Sequence, residues 1–146
     1  MEVQGLLVRA ACGGDVAAVA GLAAELATSF AFDLEQFERN FPVLVGDEKV
    51  CLLVATDGGG CVGYLLGFRH LTFFANGPVG WVEEVAVRAG QRGRGTGRAL
   101  MEAFECWAGE HGCALVALAT RRAAPFYRAL GYEESAAYFR KVLPGA

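Results

Sequence analysis

Val85-Ala86-Val87-Arg88-Ala89-Gly90-Gln91-Arg92-Gly93-Arg94-Gly95-Thr96-Gly97-Arg98 is the stretch that decides how this chain is read. A short apolar, β-branched run enters it, and the chain's clearest helical periodicity leaves it. From Gly97 to His111, the residues Leu100, Ala103, Phe104, Trp107 and His111 share one helical face, with Glu102 and Glu105 outside it. The segment therefore reads as strand, glycine-arginine loop and helix start. The first turn of a helix presents amides with no partner inside the helix, and together with the helix dipole these form an anion site. Gly93, Gly95 and Gly97 leave room for a ligand to approach the main chain, and Arg92, Arg94 and Arg98 add charge suited to phosphate oxygens. Two familiar phosphate fingerprints do not fit. A dinucleotide loop counted from Gly93 or from Gly95 needs glycine where Arg98 or Leu100 stands, and a Walker A loop needs lysine where Thr96 stands.

Upstream, Gly5 to Arg9 reads as a first strand and residues 15–27 as a helix with Asp15 at its N-cap. Asp33 is placed to cap a second helix through Leu34, Phe37 and Phe41, which Pro42 is expected to stop. Val50–Ala55 and Cys61–Phe68 flank the turn Asp57-Gly58-Gly59-Gly60 and predict a hairpin, and Trp81–Val87 is a further strand. Downstream, Ala114–Ala119 is an apolar run of strand length. A short helix follows, with Pro125 in its first turn and Gly131 past its end, and Ala136–Leu143 reads as a closing strand. The order predicts one mixed α/β domain over residues 1–146.

The composition supports a packed core: of 146 residues, 54% are hydrophobic and 20% charged. No apolar run reaches the length of a membrane span, and the start of the chain lacks the basic residues of a secretion signal, so no membrane role is expected. The net charge of −3 argues against a nucleic-acid-binding surface. That charge is uneven, because residues 1–80 carry four bases against nine acids while 81–146 carry nine against seven. Four arginines between Arg88 and Arg98 meet no acid, which suits a local anionic ligand. The five cysteines (Cys12, Cys51, Cys61, Cys106 and Cys113) form no CxxC, and His70 and His111 are not paired as ligands. No metal site or disulfide framework is expected, and free thiols suit a reducing cytoplasm.

The segment Arg92-x-x-Gly95-x-Gly97 resembles the pyrophosphate-binding motif of the GCN5-related N-acetyltransferases, the GNAT family. Glu83-Glu84-Val85-Ala86-Val87 before it, and Phe126-Tyr127-Arg128-Ala129-Leu130-Gly131-Tyr132 after it, are also similar to that family, so the dense likeness covers residues 81–132. The resemblance implies a mostly antiparallel central sheet with a splayed parallel strand pair, flanked by about four helices. It implies acetyl-CoA as co-substrate, with its diphosphate on Arg92, Gly93, Arg94, Gly95, Thr96, Gly97 and Arg98 and its pantetheine arm along Val85, Ala86 and Val87. The Val85 N–H is the candidate oxyanion donor. Family members often carry asparagine six residues before the tyrosine of the third segment, and this chain has Arg121 there.

Acetyl transfer to an amine requires loss of the ammonium proton. Strict strand alternation places Trp81, Glu83, Val85 and Val87 on one face and Val82, Glu84 and Ala86 on the other. If Val85 marks the cofactor gap, as the resemblance implies, Glu83 on its face is the expected base and Glu84 the reserve, while Tyr127 matches the family's donor to the departing thiolate. The expected reaction is direct attack of a small-molecule or peptide amine in a ternary complex. The alternative is a catalytically silent acyl-CoA-binding module. By analogy the acceptor pocket draws on the first two helices and the loop from Leu71 to Pro78, with Phe30, Phe32, Phe73 and Phe74 as lining and Asp33, Glu35 and Glu38 nearby. Ala136–Leu143 offers an edge on which two copies would pair.

Overall fold

The computed structural model describes residues 2–3 and 5–145. The strands are β1 (Glu2–Val3), β2 (Leu6–Ala10), β3 (Val50–Asp57), β4 (Cys61–Thr72), β5 (Gly77–Val87) and β6 (Val116–Leu118). The helices are α1 (Val16–Leu26), α2 (Leu34–Val45), α3 (Thr96–Glu110) and α4 (Ala124–Ala129). The strands form one sheet in sequence order, antiparallel throughout except for the parallel pair β5–β6.

Alternation along β3 explains why the sheet is covered on both faces. Cys51, Leu53 and Ala55 point toward α3, where Leu100, Met101 and Phe104 are fully buried. Leu52 and Val54 point the other way, toward Val19 and Leu22 of α1 and Phe41 of α2. A continuous apolar run is what such a doubly covered strand requires. The helix α3 lies very close to the sheet because β4 and β5 offer glycines beneath it. A Cβ at Gly67 would run into the Phe104 ring, and one at Gly80 would lie 3.2 Å from it. Gly67→Ala is therefore expected to destabilise the fold by about 1–3 kcal/mol through overpacking. The check is a lower urea midpoint at unchanged m-value.

Several boundaries differ from the sequence reading. Pro42 lies inside α2, which continues to Val45 before Gly46 ends it. Proline costs one ladder hydrogen bond there, but Phe41 and Leu44 pack onto the sheet from the same helix and hold it together. The β4–β5 hairpin extends well past Phe68, to Thr72 and Gly77, and Phe73 and Phe74 stand exposed at its tip. Ala136–Leu143 forms no strand: it leaves the core with Tyr138, Phe139, Val142 and Leu143 exposed. Among the described residues this segment pairs with no strand, although β6 stands at the edge of the sheet.

Asp15 occupies the N-cap position of α1 without bonding to that helix's amides. Its carboxylate instead takes both Arg9 guanidinium nitrogens at 2.8 and 2.9 Å and the Cys12 N–H at 2.8 Å. The Arg9 bonds, chief among these contacts, hold the Asp15 carboxyl down at about 2, below its ordinary 3.8. A depressed carboxyl pKa means stability that is present above 3.8 and lost as pH falls toward 2. Asp15→Asn should lower stability at neutral pH by on the order of 1.5–3 kcal/mol. It should also remove this part of the acid sensitivity, as read from melting temperature against pH.

Candidate active site

The parallel pair β5–β6 is short. Gly80–Val82 pairs with Val116–Leu118, and Gly80 N–H donates to Leu115 O at 2.9 Å. Beyond Val82, β5 runs on to Val87 with β6 no longer beside it, which is the splay the resemblance implies. At the same place β5 bulges. Leu66 of β4 pairs with Glu84 and Gly67 with Val82, so Glu83 is the extra residue.

The bulge inverts both side chains and amides. Val82 shares the α3 side of the sheet with Val85 and Val87, while Ala86 packs on the α1–α2 side and Glu84 lines the cavity there. Strict alternation would have grouped Val82 with Glu84 and Ala86, so that expectation is corrected. Gly80 N–H points toward β6, yet Arg88 N–H donates to Val62 O of β4 at 2.8 Å. Both positions are even-numbered, so the direction switches between them. The N–H groups of Val85 and Val87 are thereby turned into the gap left by β6.

The two carboxylates consequently separate. Glu83 is exposed, and its Oε1 accepts the Trp81 indole N–H at 3.2 Å. Glu84 is partly buried, and its Oε1 accepts the Tyr64 hydroxyl at 2.8 Å. Tyr64 is only 1% exposed, and burial, reinforced by the Glu84 charge, pushes its phenol far above the ordinary range. It therefore acts as a fixed donor that orients Glu84. The sequence reading missed Tyr64, because nothing in a strand's alternation says that a core tyrosine on β4 lies opposite an acid on β5. Of the two carboxylates, Glu84 lines the cavity on the α1–α2 side and Glu83 does not.

The glycine-arginine loop ends at Gly95, which caps α3 in the left-handed region with φ of +83°. A residue with a Cβ resists that conformation, whereas the space beside Gly95 is open. The first bond of the helix runs from Ala99 N–H to Gly95 O at 2.9 Å. Thr96, Gly97 and Arg98 therefore present amides with no partner among the described residues. Arg92, Arg94 and Arg98 are exposed around them. Arg88 is committed elsewhere, to Cys61 O at 2.7 Å. The Thr96 side chain is buried against the sheet near Gly63, so only its backbone faces the loop. Gly97 serves packing as well: a Cβ there would lie 3.1 Å from the Phe126 ring of α4.

That contact ties α4 to the start of α3 and brings Tyr127 to the same end of the sheet. Tyr127 packs on the α3-side core between the rings of Phe126 and Tyr132, with centroids 4.9 and 6.0 Å away. Its hydroxyl makes no hydrogen bond among the described residues, whereas Tyr132 donates to Glu105 at 2.6 Å. Burial raises the Tyr127 pKa above its ordinary 10, so the group remains a proton donor.

On the opposite face, a cavity of about 390 Å³ opens between α1, α2 and the sheet, with Glu84 in its wall. Phe30, Phe32 and Asp33 line it, joined by Phe37 and by Gln36 and Asn40, which the sequence reading did not single out. Phe73, Phe74, Glu35 and Glu38 do not line it. The amphipathic spacing of α2 could have flagged Gln36 and Asn40, because both lie within a turn of Phe37. Among the described residues, no group of three or more His, Cys, Asp or Glu could hold a metal ion, and no helix is long and apolar enough to cross a membrane.

Solved structures share this architecture. A transcriptional regulator from Bacillus halodurans C-125 superimposes with a TM-score of 0.84 at 24% identity, over 94% of this chain and 99% of that one. Glucosamine-6-phosphate N-acetyltransferase from Arabidopsis thaliana gives 0.83 at 20% identity, over 94% and 97%. An aminoglycoside N-acetyltransferase in complex with CoA gives 0.81 at 20% identity, over 93% and 94%. No curated protein matches the sequence. The family model for the acetyltransferase (GNAT) domain matches residues 48–134, more than half of the chain and every element of the splayed site. The chain belongs to the GNAT acetyltransferase family, whose members generally transfer acetyl from acetyl-CoA to amines.

Proposed function

We propose that the chain is an acetyl-CoA-dependent N-acetyltransferase, a single domain over residues 1–146, acting by direct attack of a primary amine in a ternary complex. The observation that carries this reading is the bulge at Glu83, which turns Glu84 into the cavity while it turns the Val85 N–H into the β5–β6 gap. The open amides of residues 96–98 and the left-handed Gly95 fit a diphosphate, and the amides of Val85 and Val87 fit the polar arm behind it. Acetyl-CoA, when bound, supplies the thioester.

Glu84, oriented by Tyr64, takes the proton from the acceptor ammonium, directly or through one water, so that the free amine attacks the thioester carbonyl carbon. Val85 N–H donates to the oxygen on which negative charge develops. Tyr127 gives its proton to the departing sulfur as the carbon–sulfur bond breaks. Arg92, Arg94 and Arg98 pair with the phosphates. Free thiols, two of them buried, suit the reducing cytoplasm as its location.

The test is thiol release from acetyl-CoA over a broad panel of amines. Amine-dependent release supports the reading. Saturable acetyl-CoA binding without release for any amine would make the chain a silent acyl-CoA-binding module.

We further propose a homodimer in which residues 136–143 find their missing strand neighbour on a second copy. Phe139 is 90% exposed, and among the described residues β6 has one edge unpaired. Light scattering should give twice the chain mass for the unsubstituted protein and the single-chain mass for Phe139→Glu. A single-chain mass before substitution would dismiss the pairing.

A further inference from the structure

Resting on the transferase reading above, we infer that the acceptor is a monoamine whose amino group is carried on a compact apolar body of about the size of an aromatic ring. Phosphorylated sugars and polycations are thereby excluded as preferred substrates. The inference comes from the chemistry of the cavity wall. Leu26, Phe30, Phe32, Phe37, Phe41 and Leu66 all line it, and most of the lining is apolar. The rings of Phe32, Phe37 and Phe41 follow one another at centroid distances of 5.7 and 5.7 Å, a continuous aromatic wall. Phe30 and Leu26 remain 53% and 39% exposed, so apolar surface at this site awaits a cover. The volume of about 390 Å³ lies at the small end of ligand pockets, which leaves space for a compact body.

Charge sets the rest of the specificity. Among the described residues, no Lys, Arg or His lines the cavity. The two guanidinium groups bonded nearby are already engaged, Arg39 with Gln36 and Glu35 and Arg140 with the Ser29 hydroxyl. A phosphate dianion entering here would lose its hydration and meet no cation. Among the described residues the lining carboxylates are Glu84 and Asp33, and each has one oxygen occupied, by the Tyr64 hydroxyl and by the Gln36 N–H. One ammonium finds a partner in Glu84. The three ammonium groups of a polycation such as spermidine would meet two carboxylates in the wall, each already holding one hydrogen bond.

The experiment compares kcat/KM for 2-phenylethylamine, ethylamine, glucosamine 6-phosphate and spermidine. It is paired with calorimetric titration of 2-phenylethylamine into the CoA-saturated protein. The expected result is a preference for 2-phenylethylamine of at least ~30-fold over the other three, given that each methylene in an apolar pocket discriminates by about 10–200-fold. Phe32→Lys should abolish that preference by placing an ammonium in the wall. Preference for glucosamine 6-phosphate, spermidine or ethylamine would overturn the inference and leave the transferase reading intact. If no amine is turned over but 2-phenylethylamine binds saturably, the ligand class stands and the transferase reading falls. If no amine is turned over and 2-phenylethylamine does not bind, both fall.

Discussion

Glu84→Gln is expected to lower kcat by about 10²–10³-fold near neutral pH, within the range typical of a lost general base. Affinity for acetyl-CoA should stay unchanged, because the groups proposed to hold the diphosphate and the arm are main-chain groups elsewhere. The defect should shrink as pH rises, since an alkyl ammonium with a pKa near ~10.4 increasingly loses its proton unaided. Glu83→Gln is the control. Its carboxylate is exposed and bonded to the Trp81 indole, so the change should leave turnover near that of the unsubstituted chain. Tyr64→Phe should give an intermediate loss in kcat with a displaced pH profile, because Tyr64 acts only through the orientation of Glu84. A larger loss in Glu83→Gln than in Glu84→Gln would reverse the assignment of the base.

Tyr127→Phe is expected to lower kcat by about 10²-fold, the lower end for a lost general acid. Burial raises this phenol above its ordinary 10, and a raised pKa keeps the neutral donor form as pH increases. The unsubstituted chain should therefore hold its rate across the alkaline range up to pH 10, with any loss from this group arriving only above it. The substitution should matter less when the acetyl donor carries a more acidic thiol, because a better leaving group needs less help from a proton. An equal defect with both donors would remove Tyr127 from the proton-donating role and leave it as packing between Phe126 and Tyr132.

Elements whose residues answer to local rules were legible in the sequence. The helix α3 declared itself through Leu100, Phe104 and Trp107, and Gly95 through its position at a strand-to-helix junction. The doubly covered strand β3 was readable from its unbroken apolar run. Features set by the partner strand were not legible. The choice between Glu83 and Glu84 depends on a single extra residue opposite Leu66 and Gly67, and a bulge leaves no mark in strand periodicity. The Tyr64–Glu84 bond spans 20 positions and depends on the same register. Pro42 misled because the helix-breaking rule is local, while Phe41 and Leu44 hold α2 through tertiary packing. Ala136–Leu143 has strand composition, yet composition does not say where a neighbour will be found.

The most direct test of the central claim is calorimetric titration of acetyl-CoA into the unsubstituted protein and into Gly95→Val. A β-branched residue in the left-handed region at Gly95 costs roughly 1–2 kcal/mol and crowds the space open beside the loop. One saturable site is expected in the unsubstituted chain, with binding weakened by at least ~10-fold in the variant, equivalent to about 1.4 kcal/mol. Absence of saturable binding to the unsubstituted protein, or equal affinity in Gly95→Val, would contradict the claim.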